Sequence, residues 1–533
     1  MNLQNRQSKI QDKRKTTERR DFVMEICSWF PFTLYRNNGI TTPYNSSINR
    51  IAGVVLPSKF EQQRNDILIN RDTDLFTTMR NALVNTQLAG NKVIGQNENS
   101  DFSYIILWAK NSYLSIVVVD SQGVLYTYSS FFSSNVFQSI LVQNSQEVFS
   151  SRIVSNSHKI FYSSNVDKSN ELRFCANMIG CSECISCDWL TNQSYCINNK
   201  QHSKEEYFHT KQVILLDKET YNHHHDQTLD HKWANIGDDL SGSFNKIYDH
   251  VENGLMNYQL HQWRNTIFCN GTDQLEYAMD CCSIGWTKSD NIYASMWVGF
   301  DCHHIYCSAE CSPQCSNVYY SYLLDTCSFC LGCIWLKNKS YCILNKQYTK
   351  EEWYIKVDEI FWQMEQDGTL GQFFPASMNP FYFNDTAAYL IWSSPRSTAG
   401  QGFTKEEVVA KGYLWRDDPI KVDIPEGAEV VKTSELDQYE GWIVGTQFVA
   451  SADTKSTQTD GENSVLTNPH PDPFLKGEGV RHIDPLILKK IIQDPQWNIY
   501  RIVPMEYEFL MKHGLPLPRK HRLDRMKENF RIN

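Results

Sequence analysis

The sequence predicts a mainly β protein with helical caps: two β-solenoid (β-helix-like) lobes of about 12-residue period, plus a small helical C-terminal region. Three observations predict it. Residues 181–208, CSECISCDWLTNQSYCINNKQHSKEEYF, return without a gap as residues 327–354, CSFCLGCIWLKNKSYCILNKQYTKEEWY, with 17 of 28 positions identical. Upstream of the first copy, every twelfth residue keeps its character. Each copy then runs into the same helix-start signal.

The columns are explicit. From Val124 they read Val136, Val148, Ile160, Leu172, Cys184, Cys196; from Thr127, Ser139, Ser151, Ser163, Cys175, Cys187. A third runs Val118, Ser130, Val142, Val154, Val166, Met178, Leu190, and a fourth Ser133, Ser145, Ser157, Ser169, Cys181. A fixed short period in strand-rich sequence stacks equivalent residues at the strand spacing of about 4.8 Å. Large columns are expected inside and small Ser or Cys columns at the turns. Whether a coil holds 12 or 24 residues is open, but Leu125, Phe137, Phe149 and Phe161, directly after the Val column, favour the wider coil.

Taken in order, residues 1–70 form a basic tail and an irregular region, and Asp72–Leu83 has helical spacing of Leu75, Phe76, Met79 and Leu83. Residues 71–208 make the first lobe, 209–264 an insert, and 265–368 the second lobe, through Cys269, Cys281, Cys302, Cys315 and Cys327. Ser203 with Glu206, and Thr349 with Glu352, have capping-box spacing, so each lobe leaves through a helix that closes its open end. Residues 369–449 are irregular and 450–480 read as a linker. In 481–533, Asp484-Pro485 opens a helix through Ile492, and Pro504 opens another that ends at Gly514 before a basic helical tail.

At 533 residues the chain supports several units, and 41% hydrophobic with 21% charged residues excludes general disorder. The net charge of -10 is uneven. Residues 1–20 and 512–531 each carry seven basic against two acidic residues, on an acidic body. Solvated tails are the expectation, with nucleic acid as the partner they would otherwise contact. No apolar run has membrane-spanning length or follows the N-terminal bases, which predicts a cytoplasmic location without membrane association. Seventeen cysteines are then expected as thiols or metal ligands.

The spacing C-x2-C-x2-C-x8-C, present twice, makes Cys181, Cys184, Cys187, Cys196, Cys327, Cys330, Cys333 and Cys342 the candidate ligands of zinc. Packing is the preferred reading, because three of the same columns hold Ser, Thr, Val or Leu in earlier coils. The run YNHHHDQTLDH, with His223, His224, His225, Asp226, Asp230 and His231, reads as a polar surface loop, and His303-His304 as a weaker instance. No phosphate-binding loop, nucleophile elbow or zinc-protease motif occurs. Asp120, Glu147 and Asp167 share no column, so paired catalytic carboxylates are not expected.

The coils ending in CSFCLGCIWLKNKSYCILNKQYTKEEWY, with FFPASMNPFYFNDTAAYLI, GYLWRDDPIKVDIPEGAEVVKTSEL and YEFLMKHGLPLPRKHRLDRMK, resemble a family of cysteine-rich repeat proteins from candidate-phyla bacteria, over residue 70 to the C-terminus. The resemblance implies no activity. Many relatives follow Leu-Pro-Leu-Pro-Arg with C-P-x-C-R of a zinc ribbon; here Leu515–Arg519 lead to Lys520 and His521, and no Cys follows Cys342. The expected function is a non-catalytic scaffold or binding protein, with a protein partner or self-association. The alternatives are a zinc-dependent nucleic-acid-binding protein and a polysaccharide-active β-helix enzyme.

Overall fold

The computed structural model describes residues 3–15, 21, 24–25, 35–37, 40–42, 54–70, 74–89, 93–100, 102–227, 240–246, 249–258, 261–267, 275–282, 289–379, 382–383, 403–415, 424, 427–444, 447–450 and 480–530. Cys269, Asp230, His231 and the linker at 451–479 lie outside them.

The first lobe is a solenoid of twelve-residue coils. Ser134 pairs with Gln122 and Gln146, and Val136 with Val124 and Val148, all in parallel register. On the opposite side Ile140 pairs with Tyr128 and Arg152. The wider coil expected from the phenylalanines is therefore not formed. The chain turns so tightly that Phe137, Phe149 and Phe161 point outward, where they pack with Phe509 and Leu510 instead of filling the coil.

Tightness follows from a sub-period of three. Left-handed φ recurs at Gly123, Tyr126, Ser129, Phe132, Asn135, Gln138, Leu141 and Asn144, and continues at this spacing through most of the lobe. Each such residue is a corner, the next points inward, and the one after lies on a side. The left-handed conformation costs an L-residue about 1–2 kcal/mol, and Asn tolerates it best after Gly. Hence the many asparagines at corners, among them Asn135, Asn144, Asn156, Asn165, Asn177 and Asn192.

All four columns read from the sequence point inward, three residues apart, including the Ser columns expected at turns. Their hydroxyls are needed there. Ser151 accepts the backbone N–H of Ser163 (3.1 Å), and its hydroxyl donates to the carbonyl of Phe149 (2.8 Å). The same ladder joins Ser133, Ser145, Ser157 and Ser169. A buried N–H without a partner costs about 1–3 kcal/mol, so each hydroxyl satisfies one coil and ties it to the next.

The second lobe repeats the design. Asp290, His303, Ser316, Ser328 and Ser340 pair in succession, through two coils of thirteen residues and then two of twelve. Its parallel sheet reaches back to Leu240–Lys246, inside the stretch expected as an insert. Ser295, Ser308 and Ser321 form the hydroxyl ladder.

Helices cover the flanks. They are α1 (Leu3–Lys15), α2 (Pro57–Gln63), α3 (Leu75–Asn85), α4 (Lys204–Leu216), α5 (Lys218–Gln227), α6 (Lys350–Gln366), α7 (Lys405–Ala410), α8 (Pro504–His513) and α9 (Arg522–Phe530). Both capping boxes are present, Ser203 with Glu206 and Thr349 with Glu352. Of these helices, α4 and α6 each seat on the last coil of their lobe, where the Trp353 Nε1 of α6 donates to the Cys342 carbonyl (3.2 Å). They fold back along the sides: Tyr207 and Ile214 of α4 cluster with Ile185 and Ile197, and Phe361 of α6 meets the Tyr319 ring at 5.3 Å. The last coil of each lobe also pairs with a two-residue antiparallel strand, Lys200–Gln201 and Lys346–Gln347. After Asp484 the chain makes a 3-10 turn, Pro485–Lys489, and a strand, Ile491–Gln493, instead of the expected helix; α8 ends at Gly514 (φ 61°) as expected.

Among the described residues, each basic end includes bases that are buried and paired instead of solvated. Each clamps the lobe farther from it in the chain. In α1, Arg14 pairs with fully buried Asp280 of the second lobe (2.5 Å), and Arg6 pairs with Glu365 and Asp358 of α6. On the first lobe, Phe509 of α8 stacks on Phe137 (4.2 Å) and Phe149 (5.8 Å), while Arg525 of α9 bonds Gln138 (2.6 Å) and Glu506 (2.8 Å).

Candidate functional site

The eight candidate cysteines lie in the inward columns of the last coils. Cys181 and Cys187 continue the hydroxyl ladders: the Cys181 N–H donates to Ser169 (3.1 Å), and the Cys187 N–H to the Cys175 sulfur (3.5 Å). Cys184 and Cys196 continue the Val column, with Cys330 and Cys342 as their counterparts in the second lobe. Cys333 continues the second lobe's hydroxyl ladder, its N–H donating to Ser321 (3.1 Å). Cys327 follows Cys302 and Cys315, with its thiol toward the Asp325 (3.3 Å) and Leu336 (3.4 Å) carbonyls.

The spacing therefore gathers thiols. Three on successive sides of one coil and a fourth directly above place Cys330 beside Cys327, Cys333 and Cys342. Thiol contacts with these three and burial hold the Cys330 proton, whereas Cys327 and Cys342, as acceptors from Cys330, shift downward. In the first lobe, contact with Cys187 and then burial push Cys184 upward, and burial carries Cys196 to about 11. Zinc would take these groups as thiolates, which burial in an apolar coil opposes. Among the described residues, no group of three or more His, Cys, Asp and Glu is set to hold a metal ion, and all the described cysteines are free thiols.

The histidine run is helix, not loop, over its described part. On α5, His224 is buried and its Nδ1 meets the Ser186 hydroxyl (2.6 Å), while His225 meets the Tyr162 ring edge-on (4.9 Å). They anchor α5 to the coil. Counting by twelves from Glu147 reaches Lys159, Glu171 and Glu183, a carboxylate column that the sequence reading passed over. It is occupied: Lys211 of α4 bridges Glu171 (3.5 Å) and Glu183 (2.8 Å), and Lys159 binds Glu171 (2.6 Å). These carboxylates hold a helix in place.

Several described bases near the C-terminal end are similarly committed. Arg519 pairs with Asp437 (2.5 Å), Lys512 with Glu147, and Arg525 with Glu506, so these bases are neutralised within the chain. Among the described residues, no helix is long and apolar enough to cross a membrane.

One face of the first lobe stays open. Its side column is Lys110, Gln122, Ser134, Gln146, His158, Asn170, Ser182 and Ser194, each exposed or half-buried. Beside it runs an exposed corner column: Trp108, Asp120, Phe132, Asn144, Asn156, Lys168 and Asn192. The second lobe leaves the matching positions open, with half-buried His303, Ser316, Ser328 and Ser340 beside exposed Asp301, Gln314, Thr326 and Asn338. Side chains on this face bond from coil to coil: Ser182 to Ser194 and Ser328 to Ser340 (2.8 Å each), and His158 to Asn170 (2.9 Å). The same count by twelves, begun at Gln122, would have found it.

Coil geometry defines a β-solenoid with two lobes, each of which leaves the matching side exposed among the described residues. Comparison with protein-family models, with curated proteins and with solved structures finds no match for the chain.

Proposed function

We propose that the chain is a non-catalytic binding scaffold whose stacked coils offer the open face to a partner. One observation carries this reading: the duplicated block keeps Ser182 and Ser194 of one lobe as Ser328 and Ser340 of the other, on the matching exposed side of each lobe. Buried flanks account for neighbouring columns, such as Phe137 and Phe149, through packing alone. Packing does not account for solvent-facing side chains held in a regular ladder. The carboxylates closest to a catalytic pair, Glu171 and Glu183, are bridged by Lys211, which supports a binding role over hydrolysis.

The test is hydroxyl-radical footprinting of the protein in lysate of the cells that make it, comparing wild type with Asn156→Arg/Ser182→Arg/Asn338→Arg. Protection is expected along the open face, and the variant, still folded by circular dichroism, should lose it at least tenfold. Protection concentrated on another surface, or unaffected by the three arginines, would defeat the proposal.

A further inference from the structure

We infer that the open face of the first lobe binds an extended, uncharged β-linked polysaccharide chain. The inference rests on the binding-scaffold reading and names the chemistry of the partner. Trp108 (55% exposed) and Phe132 (56% exposed) are the large aromatic side chains that this face presents to solvent. They share one corner column two coils apart, which sets their Cα atoms about 9.6 Å from each other along the solenoid axis at the strand spacing. An extended chain of equatorially linked sugars advances by about one strand spacing per sugar and turns alternate rings over. Every second sugar therefore presents the same apolar C–H face, in step with Trp108 and Phe132.

The rest of the face suits the rim of such a chain. Between the rings lies Asp120, and alongside run Gln122, Ser134 and Gln146, a row of acceptors and donors for hydroxyl groups. Asn144 and Asn156 already bond to each other (3.4 Å), so less side-chain freedom is lost when a ligand docks. The Trp108 ring itself is seated: a Cβ on Gly95 would come within 2.3 Å of its Nε1, so only a glycine lets the ring lie against that turn. Its outer side remains in solvent.

Charge disfavours the other partners. Lys110, Asp120, His158 and Lys168 leave the face close to neutral, whereas a nucleic acid requires a run of bases. Two isolated rings among amides and hydroxyls also lack the contiguous apolar centre of a protein interface.

Affinity electrophoresis of the full chain through gels containing hydroxyethylcellulose, with isothermal calorimetry on cellohexaose, tests the inference. Retardation is expected in this β-linked glucan and not in amylose, with little change on raising salt. Trp108→Ala/Phe132→Ala should weaken binding at least tenfold. Phe132→Ala alone, at an exposed corner where folding is unaffected, should weaken it severalfold, and Phe132→Tyr should restore it. No retardation, equal retardation by amylose, or retardation unchanged in Phe132→Ala would overturn the assignment. Release of shortened oligosaccharides would keep the face assignment and overturn the non-catalytic reading, so the two failures are distinct.

Discussion

The side-chain amide of Asn345 hydrogen-bonds both backbone groups of Ile334, accepting from its N–H and donating to its carbonyl at 2.9 Å each. Asn199 does the same for Asp188 in the first lobe (2.8 and 2.9 Å). One side chain thus stands in for the next strand on the side of the coil that the antiparallel hairpin leaves unpaired. An unpaired edge is a template for association.

Asn345→Leu removes both bonds and a third to the Ile67 carbonyl (3.0 Å), leaves a partly buried N–H without a partner and puts a leucine at a left-handed φ of 63°, so a loss of about 3–5 kcal/mol is expected in urea unfolding. Asn199→Leu/Asn345→Leu should also sediment as higher oligomers at micromolar concentration. A monomeric double variant of unchanged stability would show that the edge is protected by other means.

The inward ladders make a sharp distinction between hydroxyl and apolar columns. Ser151→Ala deletes the acceptor of the Ser163 N–H and is expected to cost about 1–3 kcal/mol, while Ser151→Cys should retain most of the stability. Val148→Ser, one side away, places a hydroxyl in the Val column, where it loses apolar burial and should cost more than Ser151→Cys. If the thiols serve packing in this way, Cys187→Ser and Cys333→Ser should be nearly neutral, and dialysis against a chelator should leave the melting temperature unchanged. Stoichiometric zinc in untagged protein, lost with Cys330→Ser, would instead make the four-thiol cluster a metal centre.

Arg14 and Asp280 are 1% and 0% exposed, so their pairing is conditional on both being present. Burial alone would lower the Arg14 value, but Glu25 and Asp280 outweigh it and hold the guanidinium charged. Arg14→Met leaves a buried carboxylate beside Glu25 and is expected to cost about 3–5 kcal/mol, whereas Arg14→Met/Asp280→Leu should recover part of that loss, since Glu25 has also lost Arg14 and a leucine at a left-handed φ of 55° carries its own strain. Limited proteolysis offers a second readout, since the single variant should release α1 and open its cleavage sites.

How much of this was legible depends on what each residue answers to. The twelve-residue columns were, because stacking forces Val124, Val136 and Val148 into one environment, and a local signal such as Ser203 with Glu206 needs no tertiary context. The coil's width was not. Phe137 reads as core from hydrophobicity alone, and only the docking of Phe509, far away in the chain, makes an outward phenylalanine buried. The charged ends misled for the same reason: Arg14 looks solvated until Asp280 is placed beside it. At the candidate site, the cysteine columns were read correctly as columns, but the open face went unnoticed because Gln122, Gln146 and Asn170 carry no motif. Their meaning comes from being the side that no described residue covers.

The C-terminal clamp carries a pH dependence of its own. His513 of α8 has its ring within 5.0 Å of Phe161 and 4.4 Å of Phe509, and its side chain is 5% exposed. Burial, then the charges of Arg173, Lys512, Lys159 and His158, lower its value from 6.5 to about 2. Glu147, 3.6 Å from Nε2, opposes this, but it is shared with Lys512 and His158. The folded chain therefore keeps His513 neutral while the unfolded chain takes up a proton as pH falls below 6.5. Stability is full above that value and is lost on acidification, at up to roughly 1.4 kcal/mol per pH unit from this group. In urea titrations between pH 7 and 4, His513→Phe, which keeps the aromatic contact, should show a shallower decline than wild type. Parallel declines would mean that Glu147 wins and the histidine is protonated in the folded clamp.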